Sequence, residues 1–379
     1  MSARTKTNVT VKLALLALAA ALLASPAARA AAKGMPKLVN ANVDTRSASA
    51  GLEPAVRAFV AAQESPAWVG YAVPMIGGER EMCCWNGSHD AGKCCGRCSL
   101  ESSNESWGQT DAHCDSHASG GTRHLEGMSP LIVLMRVVDH RIGRVRTFTE
   151  ECTVDAGGLR VLWLTDVKPA ESVAVLSSLI APASFDDHDY RSAASGALSA
   201  IAMHADPAAD RAFTSFITPS QPEKLRSQAA FWLGSVRGEP GLHLLEGMAK
   251  SDPSTKVREQ VAFAYSVNGQ SAAIDDLIRM AKEDESSKVR SQALFWLGQK
   301  AGNRAAKALT DAIDNDPDTG TKKQAVFALS QLPKEQGVPL LIQVAKTNKN
   351  AEVRKQAFFW LGQSQDPRAL DFFEEVLKR

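Results

Sequence analysis

A register of 32 residues runs through the second half of the chain and leaves it little choice of fold. Arg226, Arg258, Arg290, Lys322 and Arg354 stand at that interval. Gln228, Gln260, Gln292, Gln324 and Gln356 keep it too, as do Phe231, Phe263, Phe295, Phe327 and Phe359. A second half-unit stays in step through Leu245, Leu277, Leu309, Leu341 and Phe373. Five copies in unbroken register mark a repeat array, in which each unit can bury its apolar face only against its neighbours.

Each unit reads as two helices. Val289, Ala293, Trp296 and Leu297 fall at i, i+4, i+7 and i+8, one apolar helical stripe, and Ile274, Leu277, Ile278 and Ala281 make another. Gly298 stands where a left-handed, helix-ending residue is expected. Neither helix is long enough to hold alone, so stacking into an α-solenoid is the expected outcome.

Six residues before each basic position stand Ser220, Asp252, Asp284, Asp316 and Asn348. An acid or amide in the inter-repeat turn can cap that turn and accept from the cation on the next helix. The expected ladder runs through Asp252 and Arg258, Asp284 and Arg290, Asp316 and Lys322, Asn348 and Arg354. The runs Val289-Arg290-Ser291-Gln292-Ala293-Leu294-Phe295-Trp296-Leu297-Gly298 and Val353-Arg354-Lys355-Gln356-Ala357-Phe358-Phe359-Trp360-Leu361-Gly362 resemble the short HEAT-like repeats of the phycobilisome-lyase type. The resemblance covers roughly residues 190–379 and implies a fold, not an activity. Deoxyhypusine hydroxylases share the repeat type and bind iron through His-Glu pairs. These repeats contain no His-Glu dipeptide, so that activity is not carried over. Nothing marks the tetrapyrrole pocket of the bilin lyases either.

The residue after the repeated Phe alternates Trp232, Ala264, Trp296, Ala328, Trp360, and two further on Gly234, Ser266, Gly298, Ser330, Gly362. Large and small side chains that alternate in this way can interlock between units as core, or can offer a row of aromatics to a partner. The stripe of the Gln228 and Phe231 type lies one helical face off the core stripe and is the better candidate for exposure.

The first half has no such register. Residues 1–30 read as a secretory signal peptide: Arg4, Lys6 and Lys12, an apolar run from Leu13 to Ala24, and Ala28 and Ala30 before the expected cut. Twelve apolar residues span about 18 Å, short of the ~30 Å hydrocarbon layer, so no membrane insertion is expected after cleavage. Export to the periplasm or medium follows. Residues 31–51 read as a linker and 52–168 as a small α+β domain. Within it Glu53–Gln63 reads as a helix, and Trp68–Val73, Leu131–Val138, Gly143–Thr149 and Leu159–Leu164 as strands. The segment Arg146–Cys152 with Asp155-Ala156-Gly157-Gly158 resembles the leader domains of exported bacterial HEAT-repeat proteins. Residues 169–220 read as capping helices and a degenerate repeat, and 221–379 as the five HEAT-like units. The fold class is thus mainly α, a solenoid of helix pairs preceded by a cysteine-rich α+β domain.

Six of the seven cysteines, Cys83, Cys84, Cys94, Cys95, Cys98 and Cys114, crowd into one polar stretch, and Cys152 stands apart. A stretch this poor in apolar residues needs a covalent or metallic staple. In an exported chain disulfides are the first expectation, with all seven as candidates; seven is odd, so one thiol stays free or pairs between chains, and the spacing does not fix the connectivity. Cys95-x2-Cys98 followed by His113-x3-His117 is the alternative, a zinc site with a metal- or thiol-dependent activity in residues 83–117.

No nucleophile elbow, phosphate loop, dinucleotide motif or metalloprotease motif occurs, so no catalytic residue is assigned and no cofactor is expected. A net charge of +1, with 22% charged residues, gives no excess to neutralise phosphates, and nucleic acid is not an expected partner. The expected function is an interaction scaffold that binds a protein or peptide on the concave solenoid face. That face is expected on the second helices, with Arg279, Lys282, Asp311, Gln343, Lys346 and Glu375 as contact residues.

Overall fold

A computed structural model of the chain describes residues 34–77, 97–101, 130–150, 152–181, 192–300 and 303–378. The N-terminal half is built on strands β1 (Lys37–Val39), β2 (Asn42–Ser47), β3 (Ala67–Pro74), β4 (Arg97–Ser99), β5 (Pro130–Val138), β6 (Arg141–Thr149), β7 (Thr153–Asp155) and β8 (Arg160–Thr165), with helix α1 (Leu52–Ala62) between β2 and β3. A five-stranded sheet has the order β2-β8-β3-β5-β6, its first three strands parallel and the rest antiparallel. A smaller parallel sheet has the order β1-β7-β4.

The alternation of side chains along β3 explains how the larger sheet is covered twice. Val69, Tyr71 and Val73 point into the main core, while Trp68 points the other way, with Ile132, Leu134, Val161 and Trp163, onto the small sheet. The β5–β6 hairpin turns at Asp139 and His140, whose φ angles of 50° and 55° are those of the tight turn that matches strand twist. Glu101, just after β4, accepts from Trp68 Nε1 at 2.8 Å and from Arg136 at 2.8–3.1 Å, tying β4 to the larger sheet. Burial pushes the Glu101 carboxyl up, but those hydrogen bonds outweigh it and hold it below the ordinary range.

Residues 37–47, within the stretch expected to be a linker, form β1 and β2, each paired in a sheet. Two helices, α2 (Pro169–Ser178) and α3 (Ala193–Met203), carry the chain from sheet to solenoid, and α4 (Pro207–Phe216) completes the first, divergent pair. At Gly196 in α3 an added β-carbon would stand 2.3 Å from the Val145 carbonyl oxygen, so this helix lies directly on β6. Ala205 donates to the Pro74 carbonyl at 3.0 Å and Ile76 to the Met203 carbonyl at 2.8 Å, joining the end of β3 to the end of α3. One continuous core then runs from the inner face of the sheet to Phe372.

The five units follow. Their first helices are α5 (Glu223–Val236), α7 (Thr255–Val267), α9 (Ser287–Lys300), α11 (Thr319–Ser330) and α13 (Ala351–Gln363). Their second helices are α6 (Gly238–Ser251), α8 (Ser271–Glu283), α10 (Asn303–Asn315), α12 (Lys334–Thr347) and α14 (Pro367–Leu377). Side-chain caps at Ser254, Asp318, Asn350 and Asp366 start four of them. Gly298 does not end a helix: it lies inside α9, where a β-carbon would stand 2.9 Å from both the Ala328 Cβ and its carbonyl oxygen. Gly234 makes the same approach to Ala264. Small residue therefore meets small residue, and backbones of successive first helices come close.

Candidate protein-interaction face

Successive first helices lie against each other along their length, whereas successive second helices touch at few points. In a curved stack the closely spaced row is the inner one. The concave surface therefore belongs to the first helices, and the second helices, expected to line it, form the outer row.

The solvent side of each first helix is set by helical spacing. Opposite the core stripe, positions i, i+4, i+7 and i+11 carry Lys288, Gln292, Phe295 and Gln299 in α9. The same stripe reads Lys224, Gln228, Phe231 and Ser235 in α5, and Lys256, Gln260, Phe263 and Val267 in α7. Stacked in register, the stripes become rows that cross the helices.

The aromatic row is continuous. Phe231 stacks on Phe263 at 6.1 Å and 6°, and Phe295 on Phe327 at 6.1 Å and 9°. Trp296 bridges the gap between these pairs, 4.9 Å from Phe263 and 4.8 Å edge-on to Phe295. Trp360 repeats the bridge at 5.0 Å from Phe327 and 5.0 Å from Phe359. The phenylalanines of the first four units are half-buried, and Phe359 is 53% exposed. The tryptophans are half-buried as well, packed on the core and open at one edge. The indole Nε1 groups of Trp296 and Trp360 are buried and have no hydrogen-bond partner. Beside the rings run five half-buried glutamines, Gln228, Gln260, Gln292, Gln324 and Gln356, whose amides bond to nothing among the described residues.

A polar ladder fixes the turns that hold these rows in register. Arg226, Arg258 and Arg290 each donate from Nε and Nη2 to a carboxylate 26 residues later: Asp252, Asp284 and Asp316, at 2.7–3.1 Å. Each guanidinium closes the helix pair it starts. The cation six residues after the acid takes its backbone carbonyl, as Arg258 does from Asp252 at 2.8 Å and Arg290 from Asp284 at 2.9 Å. Arg354 does the same with the Asn348 carbonyl at 2.8 Å, while Lys322 reaches the Asp314 carbonyl. The acid side chains also cap the turn, Asp252 at Ser254 N, Asp284 at Ser286 N and Asp316 at Asp318 N. The Asp284 carboxylate holds the Arg258 guanidinium above its ordinary value, and Asp316 does so for Arg290.

The six residues expected to contact a partner are all exposed, on the second helices. Arg279 pairs with Asp276, and Lys346 bonds Glu375 at 2.8 Å while lying over the Phe372 ring. Asp311 accepts from Asn315 at 2.7 Å.

A serine–histidine pair that no sequence motif announced lies at the junction of sheet and solenoid. His204 Nδ1 is 2.7 Å from the Ala200 carbonyl, which can only accept, so Nδ1 carries the proton. Nε2 lies 2.8 Å from the Ser172 hydroxyl, which is 2.8 Å from the Tyr71 hydroxyl. All three residues are fully buried, so the pair has no route to a substrate and serves as an internal tie. Burial lowers the His204 pKa to about 4, with a further push from the Arg237 charge.

Of the seven cysteines, Cys98 and Cys152 lie among the described residues, both buried between the two sheets, and neither is a free thiol. Cys83, Cys84, Cys94, Cys95 and Cys114, with His113 and His117, lie outside the described residues. Among those described, no three acid, His or Cys side chains are grouped to hold a metal, and no helix is long and apolar enough to cross a membrane.

The family model for HEAT repeats matches residues 211–298, 241–330 and 306–379. No curated protein is similar in sequence. Among solved structures, the CpcE–CpcF complex of phycocyanin lyase from Nostoc sp. is 18% identical, with 55% of this chain and 80% of that one covered at a TM-score of 0.29. Human deoxyhypusine hydroxylase is also 18% identical, covering 56% and 80% at 0.29. The Escherichia coli protein YibA is 20% identical, covering 57% and 82% at 0.34. Nothing is carried over from likenesses this low. The chain is thus similar, from residue 211 on, to HEAT repeats, stacked as an α-solenoid on a small α+β domain.

Proposed function

We propose that the protein is an exported scaffold that binds a protein or peptide partner on the concave, first-helix face of its solenoid. The observation that carries this reading is the continuous aromatic row from Phe231 to Phe359, half-open and flanked by glutamine amides that bond to nothing among the described residues. Aromatic side chains with unused polar groups beside them are what partner surfaces are made of. The outer set of Arg279, Lys282, Asp311, Gln343, Lys346 and Glu375 is the competing surface. Export rests on the sequence of residues 1–30. The proposal includes no cofactor, nucleic acid or membrane insertion. It also includes disulfides as the staple of the cysteine-rich segment, and buried Cys98 that is not a free thiol favours them over a zinc site.

The test is crosslinked capture from the envelope of the cell of origin, with the full chain as bait. Three baits are compared: the native chain, Gln292→Ala/Gln324→Ala, and Lys282→Glu/Lys346→Glu. One dominant partner lost only with the glutamine variant supports the reading. A partner lost only with the lysine variant moves the site to the outer row, and capture of nothing by the native chain ends the scaffold reading.

A further inference from the structure

The fifth unit is open on the side where the other four are covered. Among the described residues the large apolar side chains left exposed are Phe359, Leu370, Val376 and Leu377, all in α13 and α14. The repeat shows what their positions do elsewhere. Leu370, 61% exposed, is in register with buried Leu242 and Val338 and half-buried Ile274 and Ala306. Leu377, 86% exposed, is in register with buried Ala281, Ile313 and Ala345 and half-buried Ala249. Gly234 and Gly298 press on the alanine of the next first helix, whereas nothing lies within 4 Å of a β-carbon at Gly362. A terminal unit needs a polar outer face, and this one is only partly so.

The polar positions of this side also point at the next unit. Asp275 bonds Arg304 across a unit boundary, Lys346 bonds Glu375 at 2.8 Å, and Ser291 bonds Thr321 at 3.2 Å. Their counterparts in the fifth unit are Asp371, Lys378 and Lys355. Lys355 and Asp371 are exposed and have no partner among the described residues. Lys378 bonds Glu374 at 3.3 Å on its own helix. The open face therefore has a free base on α13 and two acids, Asp371 and Glu374, on α14.

That division makes the face complementary to itself. A short turn joins α13 to α14, so the two run antiparallel, and Phe358 meets Phe372 at 5.4 Å and Phe373 at 6.0 Å. This contact fixes their level, and Lys355, one turn before Phe358, stands level with Glu374. A two-fold axis parallel to the helices lays α13 of one copy on α14 of the other at the same level. Lys355 then meets the acids and the leucines are covered. The two-fold that lays α13 on α13 would set like charge on like, which is repelled. The opposite end of the solenoid is closed, because Gly196 of α3 lies against the Val145 carbonyl of β6. A second copy can add only through the same face, which closes a pair instead of a filament.

We propose that the outward face of the fifth unit binds a second copy of this chain, α13 against α14 about a two-fold axis. The pairing stands independently of the reading of the inner face.

The test is analytical ultracentrifugation of the purified chain from about 1 to 100 µM. The expected result is twice the chain mass at the top of that range, falling to one chain on dilution and in denaturant without reductant. Leu370→Glu/Leu377→Glu is expected to stay at one chain throughout, with an unchanged melting temperature at the lowest concentration. Lys355→Glu and Asp371→Lys/Glu374→Lys are each expected to weaken pairing by about ten-fold or more, and their combination to restore it to within about three-fold of the native chain. Several results would each overturn the inference. They are one chain mass at the highest concentration, a mass that keeps growing with concentration, pairing indifferent to Leu370→Glu/Leu377→Glu, a pair that survives denaturant until reduced, and no rescue by the combined reversal.

Discussion

Gly234 faces the backbone of Ala264 so closely that a β-carbon on the glycine would stand 2.4 Å from the alanine carbonyl oxygen. This contact, repeated at Gly298 and Ala328, draws the first helices together and puts their row on the inside of the curve. Without it the glutamine and aromatic rows would be splayed apart.

Gly234→Ala should therefore destabilise the solenoid by about 1–3 kcal/mol, an overpacking cost, despite alanine's better helix propensity. Gly362 has the same place in its unit with nothing within 4 Å of an added β-carbon, and Gly362→Ala should be neutral or stabilising by up to about 1 kcal/mol. Urea unfolding of both variants checks the pair. Equal effects would show that the close approach is not the cause.

The Arg290–Asp316 pair is buried, with side-chain exposures of 9% and 5%. Removing one partner strands the other in a place that cannot solvate it. Arg290→Ala and Asp316→Ala should each cost about 3–5 kcal/mol, and the double variant much less than their sum. The Lys346–Glu375 pair is 43% exposed on both sides, and the same cycle there should return about 0–1 kcal/mol. Two similar coupling energies would contradict the difference in burial.

His204 gives the junction a pH dependence of defined sign. Its folded-state pKa is about 4, below the 6.5 of the free side chain, because burial and Arg237 disfavour the cation, against the opposing pull of the Ala200 carbonyl and Asp206. A lowered pKa means the unfolded chain binds the proton first. The contribution is fully present above pH ~6.5 and is lost as pH falls toward 4, to a total of about 3 kcal/mol. Melting curves between pH 7.5 and 4 should be steeper for the native chain than for His204→Gln. Parallel curves would remove His204 from the acid response.

The solenoid was legible because stacking forces equal environments on equivalent positions, and so prints the same residue at Gln228, Gln260 and Gln292. The β5–β6 hairpin was legible from its two alternating runs around Asp139-His140. Strands β1, β2, β4 and β7 were not. They are short and their pairs are distant in sequence, as with Lys37 opposite Thr153, so no local period announces them. The ladder misled in one respect. A spacing of six suggests that Arg258 meets the Asp252 side chain across a turn; it meets the Asp252 backbone carbonyl instead, and the carboxylate closes onto Arg226 across the whole helix pair. Which row lies inside is not legible from the repeat period, because curvature depends on how near two backbones can come. The Gly234 and Gly298 alternation carries that signal, but a sequence period cannot tell a close backbone approach from interlocking side chains or, at Gly298, from a helix ending.

The central claim is that a partner lies on the first helices. Photo-crosslinking tests it directly: benzoylphenylalanine is placed at position 292 on the inner row or at 343 on the outer row, in the full chain expressed in its own cell. The expected result is a discrete adduct from position 292 and none from 343. An adduct from 343 alone would contradict the account.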